Sequence, residues 1–295
     1  MNARLALVAL VCAGACDDTE RVVDTSPGPP PGPPLEELRI VTLAPHLAEL
    51  VFAVGAGDQL VGVSEYTDHP EAAAALPVIG DAFVVDQERL SVIRPHLLLA
   101  WESGTPVHAV DELRSRGYRV ETIQTRSLAD IAAALERIGA LTGREAEARV
   151  VADAYRDGLD ELSSRYADTN PIRVFYQVSA RPLYTINGNH YVSELIELCG
   201  GTNIFADLNE LAPVVAVEAV IDRDPEVMLA SSDAGEDAFS EWRRWPVLAA
   251  NRLDNHYFIA AAEIGRATPR LITGGEAMCE RLEDGREKRR AHQHR

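Results

Sequence analysis

A set of rings and one arginine recurs at comparable places along the chain, directly after hydrophobic strand-like runs. Pro45 and His46 follow Arg39 to Leu43, Tyr66 follows Leu60 to Ser64, and Trp101 closes His96 to Trp101. Phe83 ends the turn-like Gly80-Asp81-Ala82-Phe83, Tyr184 and Tyr191 come after Arg173 to Val178, and Arg266 comes after Tyr257 to Ala261. In an open α/β sheet the loops beyond the carboxyl ends of the strands line the ligand crevice. Aromatic rings with a polar edge supply large, stiff apolar area and few hydrogen-bonding sites, which suits a bulky, partly apolar ligand better than an ion or a free amino acid. Singly, each ring would serve core packing equally well; their shared position after strands is what argues for a site.

The same inventory weighs against catalysis. There is no Gly-x-Ser-x-Gly elbow, Walker loop or His-Glu-x-x-His, and Gly55-Ala-Gly57 lacks a third glycine and follows a helix instead of a strand. The histidines do not form a converging zinc set. An α/β enzyme is the competing class, and turnover of a candidate substrate would reveal it. With 28 Lys and Arg against 46 Asp and Glu, a formal net charge of -18, the body of the chain offers no basic stripe for nucleic acid.

The elements that must position these residues alternate. Strand and helix patterns succeed one another from Arg39 to Leu141, and again from Arg173 to Leu282. Continuous apolar strands such as Leu97-Leu98-Leu99-Ala100 belong in a parallel sheet covered on both faces. Between the two series, Gly143 to Asn170 carries apolar residues at Ala148, Val151, Tyr155, Leu159, Leu162 and Tyr166, in steps of three or four on an otherwise charged rod. Its predicted length of about 35 to 40 Å suits a strut between two lobes. The alternative is one larger α/β domain with a long surface helix. Gly158 interrupts the pattern and predicts a close contact or slight bend. The expected division is 37–142 for the first lobe, 143–170 for the linker helix, 171–284 for the second lobe and 285–295 for a disordered basic tail.

The first 16 residues read as a secretory signal: Arg4, an apolar run from Leu5 to Val11, then small residues before Cys16. Ala13-Gly14-Ala15-Cys16 also resembles a lipoprotein box, with Cys16 as the lipidated residue, and an ordinary cleaved signal is the alternative. Residues 17–36 form a polar, Pro-rich tether. By the resemblance to Gram-negative lipoprotein sorting, Asp17 implies retention at the inner membrane, facing the periplasm. Cys199 and Cys279 then remain as an even pair in an oxidising compartment, expected to form a disulfide.

Several motifs together resemble the periplasmic cobalamin-binding proteins of ABC importers. They are Arg39-Ile-Val-Thr-Leu-Ala-Pro-His46 with Glu49-Leu50, Val61-Gly-Val-Ser-Glu-Tyr66, Pro95-His-Leu-Leu-Leu-Ala-Trp101, Glu197-Leu-Cys-Gly-Gly-Thr-Asn-Ile-Phe205 and Arg266-Ala-Thr-Pro-Arg270. The resemblance runs from Arg39 to Leu282. It implies two Rossmann-like α/β lobes joined by a single long α-helix, the helical-backbone (class III) plan, with cobalamin or a related corrinoid bound in the cleft and no catalytic cofactor or structural metal. It places the ligand-contacting aromatics on Tyr66, Trp101 and Tyr184, a cleft arginine on Arg266, and the disulfide on Cys199 and Cys279. It also places the carboxylates that dock each lobe onto arginines of the permease on Glu88 and Glu218. The expected form is a membrane-tethered monomer. Departures thin the pocket: the family's tryptophans near Phe83 and before Pro213 are replaced by Ala82 and Ala212, and its acidic cleft residue near Glu263 by Ala262. Receptors of the same architecture carry haem, ferric siderophores or metal ions, for which His46, His190, Tyr66 and Tyr184 are candidate iron or cobalt ligands.

Overall fold

The computed structural model describes residues 34–81 and 83–294, apart from the side chain of Glu36; the signal, most of the tether, Cys16 and Ala82 lie outside the described residues. The first lobe runs β1 (Ile40–Thr42), α1 (Pro45–Ala53), β2 (Leu60–Gly62), α2 (Glu71–Ala74), α3 (Gln87–Ile93), β3 (Leu97–Trp101), α4 (Val107–Ser115), β4 (Val120–Ile123) and α5 (Leu128–Thr142). The linker is α6 (Glu145–Tyr166). The second lobe begins with β5 (Ile172–Gln177), a small antiparallel pair β6 (Ser179–Ala180) and β7 (Leu183–Tyr184), α7 (Tyr191–Leu198), β8 (Gly201–Asn203) and α8 (Val217–Arg223). It ends with β9 (Val227–Ser231), α9 (Ala249–Arg252), β10 (His256–Ile259), α10 (Ala261–Ile264) and α11 (Leu271–Gln293).

Each lobe is built on a four-stranded sheet, ordered β2-β1-β3-β4 in the first and β10-β9-β5-β8 in the second, with every pairing parallel. Parallel strands are buried on both faces, which is why Leu97 to Ala100 and Val227 to Ala230 are wholly apolar or nearly so and fully covered. One core cluster covers one face of both sheets and is continuous through Ala148, Ala152, Tyr155 and Leu162 of α6; a separate cluster backs each sheet on its other face. The linker therefore belongs to both lobes.

The linker is shorter than the expected 143–170, though the apolar pattern from Ala148 to Tyr166 lies wholly within it. It spans 22 residues, because α5 ends on the left-handed cap Gly143 (φ 73°) and α6 stops before Ala167. Gly158 marks a close approach, as expected: a Cβ there would meet the side chain of Ile272 on α11 at 3.0 Å.

The expectation of a disordered basic tail at 285–295 is corrected. Helix α11 runs on through Gln293, and Arg286 is 1 % exposed. The pattern is held by charge instead of apolar periodicity. Arg286 Nε donates to the Asn170 carbonyl at 2.8 Å, Lys288 Nζ to the Asp254 carbonyl at 2.9 Å, and Arg289 Nη1 to the Pro171 carbonyl at 2.8 Å. Cations in the last turns of a helix are further favoured by its dipole. Cys199 and Cys279 are bonded, fastening the end of α7 to the middle of α11 across 80 residues of sequence, a loop whose closure contributes on the order of 4 kcal/mol.

Candidate functional site

The two lobes meet at a seam of charge. Arg266, between α10 and α11 of the second lobe, donates from Nη1 to Glu49 of α1 at 2.8 Å and to Asp68, and from Nη2 to the Tyr66 carbonyl at 2.9 Å. Arg270 Nη1 lies 3.5 Å from the other Glu49 oxygen. Glu49 is 5 % exposed, so its charge is tolerable only because two guanidinium groups from the opposite lobe answer it. Asp68 is held below its usual carboxylate range, first by its hydrogen bond to Arg266.

Behind this seam stands a ring pair. His46 follows Pro45, the first residue of α1, where a missing N–H costs nothing. Its imidazole is buried, lies 3.4 Å from the Thr125 hydroxyl, and meets Trp101 edge-on with centroids 5.1 Å apart. Burial, followed by the nearby Arg266 charge, lowers its pKa to about 3, so the ring is neutral. Trp101 ends β3, its backbone N–H donating to Thr105 Oγ1 at 3.1 Å, and its indole N–H is buried without an acceptor. Tyr66 sits at φ 63°, strained for a residue with a β-carbon, and its side chain is 80 % exposed. Beside the seam, a cavity of about 670 Å³ lies between Asp68 and His69 of one lobe and Ser232, Asp233, Ala262, Arg266 and Arg270 of the other.

The structure thus sets His46 against Trp101, places the Arg266 charge near His46 and ties Arg266 to the backbone of Tyr66; of the residues expected at the site, Arg266 alone lines the cavity among the described residues. It does not join Phe83 or Tyr184 to them: among the described residues no hydrogen bond, ring contact or shared cavity links either to the seam. Phe83 is 68 % exposed and borders a separate depression against α4. Tyr184 is half-buried in β7, bridged to Val214. His190 caps α7, its Nδ1 accepting from Val192 N–H at 3.1 Å, and burial lowers its pKa to about 4. No cluster of three metal-ligating side chains occurs among the described residues.

Glu88 and Glu218 occupy equivalent places. Each is the second residue of a seven-residue helix, α3 or α8. Each helix buries a residue two positions on, Leu90 or Val220, and ends on a left-handed residue, Arg94 (φ 49°) or Asp224 (φ 42°), before Pro95 or Pro225. Both carboxylates are exposed, and neither has an ion-pair partner among the described residues.

A family model for periplasmic binding proteins matches residues 40–256. The chain belongs to the periplasmic binding protein family. This periplasmic binding protein is 35% identical over 247 residues to the vitamin B12-binding protein of Vibrio cholerae serotype O1, covering 83% of this chain and 89% of the relative. It is 32% identical over 252 residues to that of Vibrio parahaemolyticus, covering 85% and 91%. Among solved structures it resembles the periplasmic vitamin B12 binding protein BtuF of Vibrio cholerae, with TM-score 0.76, 34% identity, and 84% and 97% of the two chains covered. The periplasmic heme-binding protein RhuT from Roseiflexus sp. RS-1 shares the fold, with TM-score 0.74 at 22% identity over 84% and 99% of the chains. The fold is therefore the class III plan of two α/β lobes on one helix, and the chain is a binding protein, not an enzyme.

The sequence reading gave Glu49 and Arg270, which stand in its motifs, no role at the site and did not mark Asp68, because only the paired lobes bring them to Arg266. It also missed Glu194 of α7, whose carboxylate accepts the Leu128 N–H of α5 at 2.7 Å and forms a second link between the lobes. Burial raises its pKa.

Proposed function

We propose that this periplasmic binding protein captures cobalamin or a related corrinoid between its lobes and delivers it to the permease of an ABC importer, tethered to the inner membrane through lipid on Cys16. The observation that carries the reading is the interlobe seam. A half-buried indole with an unpartnered N–H stands behind an arginine that spans the cleft, beside a cavity large enough for much of a bulky ligand. The names of the relatives above supply the ligand class. In this reading Trp101 and Tyr66 stack on the ligand, Pro45 and His46 shape the floor, and Arg266 hydrogen-bonds its polar periphery. Tyr184 belongs to the wall only if ligand draws it in, and Phe83, exposed beside a separate depression, stays outside it. Glu88 and Glu218, one on each lobe, dock the receptor on cationic groups of the permease, and charge complementarity guides the encounter. The continuous linker limits lobe motion to small angles, since it lacks the paired strands that hinge other receptors.

The cavity also favours a second reading. Arg266 and Arg270 at its edge match the carboxylates of haem, and Ala262 in its lining stands where the family resemblance implies an acid. Calorimetric titration of the mature protein with cyanocobalamin, haem and a ferric siderophore decides: saturable binding of cyanocobalamin alone supports the corrinoid reading, and binding of haem alone replaces it.

A further inference from the structure

Next to each exposed glutamate lies an apolar depression, and the two recur in equivalent positions. In the first lobe Phe83, Val84 and Val85 face Ala109 and Leu113 of α4 around about 160 Å³, with Gln87, the first residue of α3, in the wall. In the second lobe Leu183, Trp242 and Trp245 surround about 350 Å³, with Val217, the first residue of α8, and Glu218 in the wall. The side chains that form them differ between lobes; the place does not.

Both rims are held open. The Asp81 carboxylate accepts the N–H groups of Phe83 at 2.7 Å and Val84 at 2.6 Å. Gly80 (φ 115°) permits this turn, since a Cβ there would strike the Val84 carbonyl at 2.1 Å. The turn fixes Phe83 and Val84 outward, 68 % and 70 % exposed, instead of letting them collapse onto the core. Across the cleft, Asn251 Nδ2 donates to the Trp242 and Trp245 carbonyls, each at 2.7 Å, and leaves Trp245 40 % exposed. Single exposed apolar residues are ordinary, but pre-organised apolar rims beside an unpaired carboxylate on each of two lobes are the makings of an interface. Other charges at the rims pair within the chain, Glu112 with Arg116, and Glu241 with Arg181 and Arg244, the two arginines that share the second depression, which leaves Glu88 and Glu218 for a cation from outside.

We propose that the two depressions are sockets of the permease-docking face. Each receives an apolar side chain of a permease loop, next to the cation that pairs with Glu88 or Glu218, and Phe83 belongs to this face and not to the ligand wall. The inference rests on the transport reading above.

The test uses the mature protein and the corrinoid permease of the source organism in nanodiscs, with affinity read by biolayer interferometry and cyanocobalamin affinity read separately by calorimetry. Phe83→Ser and Trp245→Ser each weaken permease binding by about tenfold or more, chiefly through faster dissociation, and leave cyanocobalamin affinity within about twofold. The loss persists at about 0.5 M salt, whereas the losses caused by Glu88→Gln and Glu218→Gln shrink there. Phe83 carries the test alone if Trp245→Ser lowers stability, because its ring is already in solvent. Equal permease binding by wild type and socket variants overturns the sockets and leaves the transport reading intact. A parallel loss of cyanocobalamin affinity in Phe83→Ser returns Phe83 to the ligand site and also overturns them. A wild type that binds cyanocobalamin but not the permease removes both readings. Socket-dependent binding to empty nanodiscs overturns the permease in favour of the lipid surface.

Discussion

The Arg266 guanidinium lies 2.8 Å from the Glu49 carboxylate, and the two residues belong to opposite lobes, 217 positions apart in sequence. Removing the arginine leaves a carboxylate of 4 % side-chain exposure with only Arg270 at 3.5 Å to answer it. Arg266→Ala should therefore cost about 3 kcal/mol of folding stability, measured by urea unfolding. Glu49→Gln, which removes the buried charge itself, should cost clearly less.

In the proposed function Trp101 gives the ligand a ring face, while its indole N–H is buried and without an acceptor. Trp101→Ala should weaken cyanocobalamin binding by about 2 kcal/mol or more in calorimetry. Trp101→Phe should recover part of that loss, since it keeps the ring and drops the donor. Unchanged affinity in the alanine variant takes Trp101 out of the site.

Acid should loosen the protein through its buried histidines. His46 is lowered to about 3, by burial first and then by Arg266, and His190 to about 4 by burial, against an ordinary 6.5. Between 6.5 and those values the unfolded chain takes up protons that the folded chain refuses, so stability falls as pH falls. The slope is about 1.4 kcal/mol per pH unit for each histidine. Urea unfolding at about pH 7 and about pH 5 should show the loss; burial lowers His256 as well, so His46→Gln should remove roughly half of the slope that His46 and His190 carry together and leave the rest. Depressed carboxylates such as Asp68 act in the same direction but lower on the pH scale, so the comparison with His46→Gln isolates the imidazole.

Arg286 fastens the last helix to the end of the linker and to the end of α7, donating to the carbonyls of Asn170 and Cys199. Arg286→Ala leaves the buried Cys199 carbonyl short of a donor and should cost about 2 kcal/mol. A chain ending at residue 285 should lose at least as much. A disordered tail would have made both changes neutral.

The alternation of strands and helices was legible in the sequence because its physics is local. Strands buried on both faces become unbroken apolar runs such as Leu97 to Ala100, and helices that cover them carry a stripe, as α6 does from Ala148 to Leu162. Catalytic signatures are absent from the sequence, and strand-end positions single out His46, Trp101 and Arg266. Strand β8, Gly201–Asn203, was not legible: three residues after a glycine carry no pattern, and their pairing with β5 makes them a strand.

What only the tertiary structure decided were the matters settled by approach between distant segments. The sequence marks Arg286 to Arg295 as charged, but whether Arg286, Lys288 and Arg289 face water or find the Asn170, Asp254 and Pro171 carbonyls depends on where distant segments of the second lobe and the linker's end lie. Likewise Phe83 reads as one more ring after a strand, and only the turn held by Asp81 sends it outward. Local chemistry fixes which residues form an element; the direction of a side chain and the partner of a buried charge follow from packing, which no short window of sequence contains.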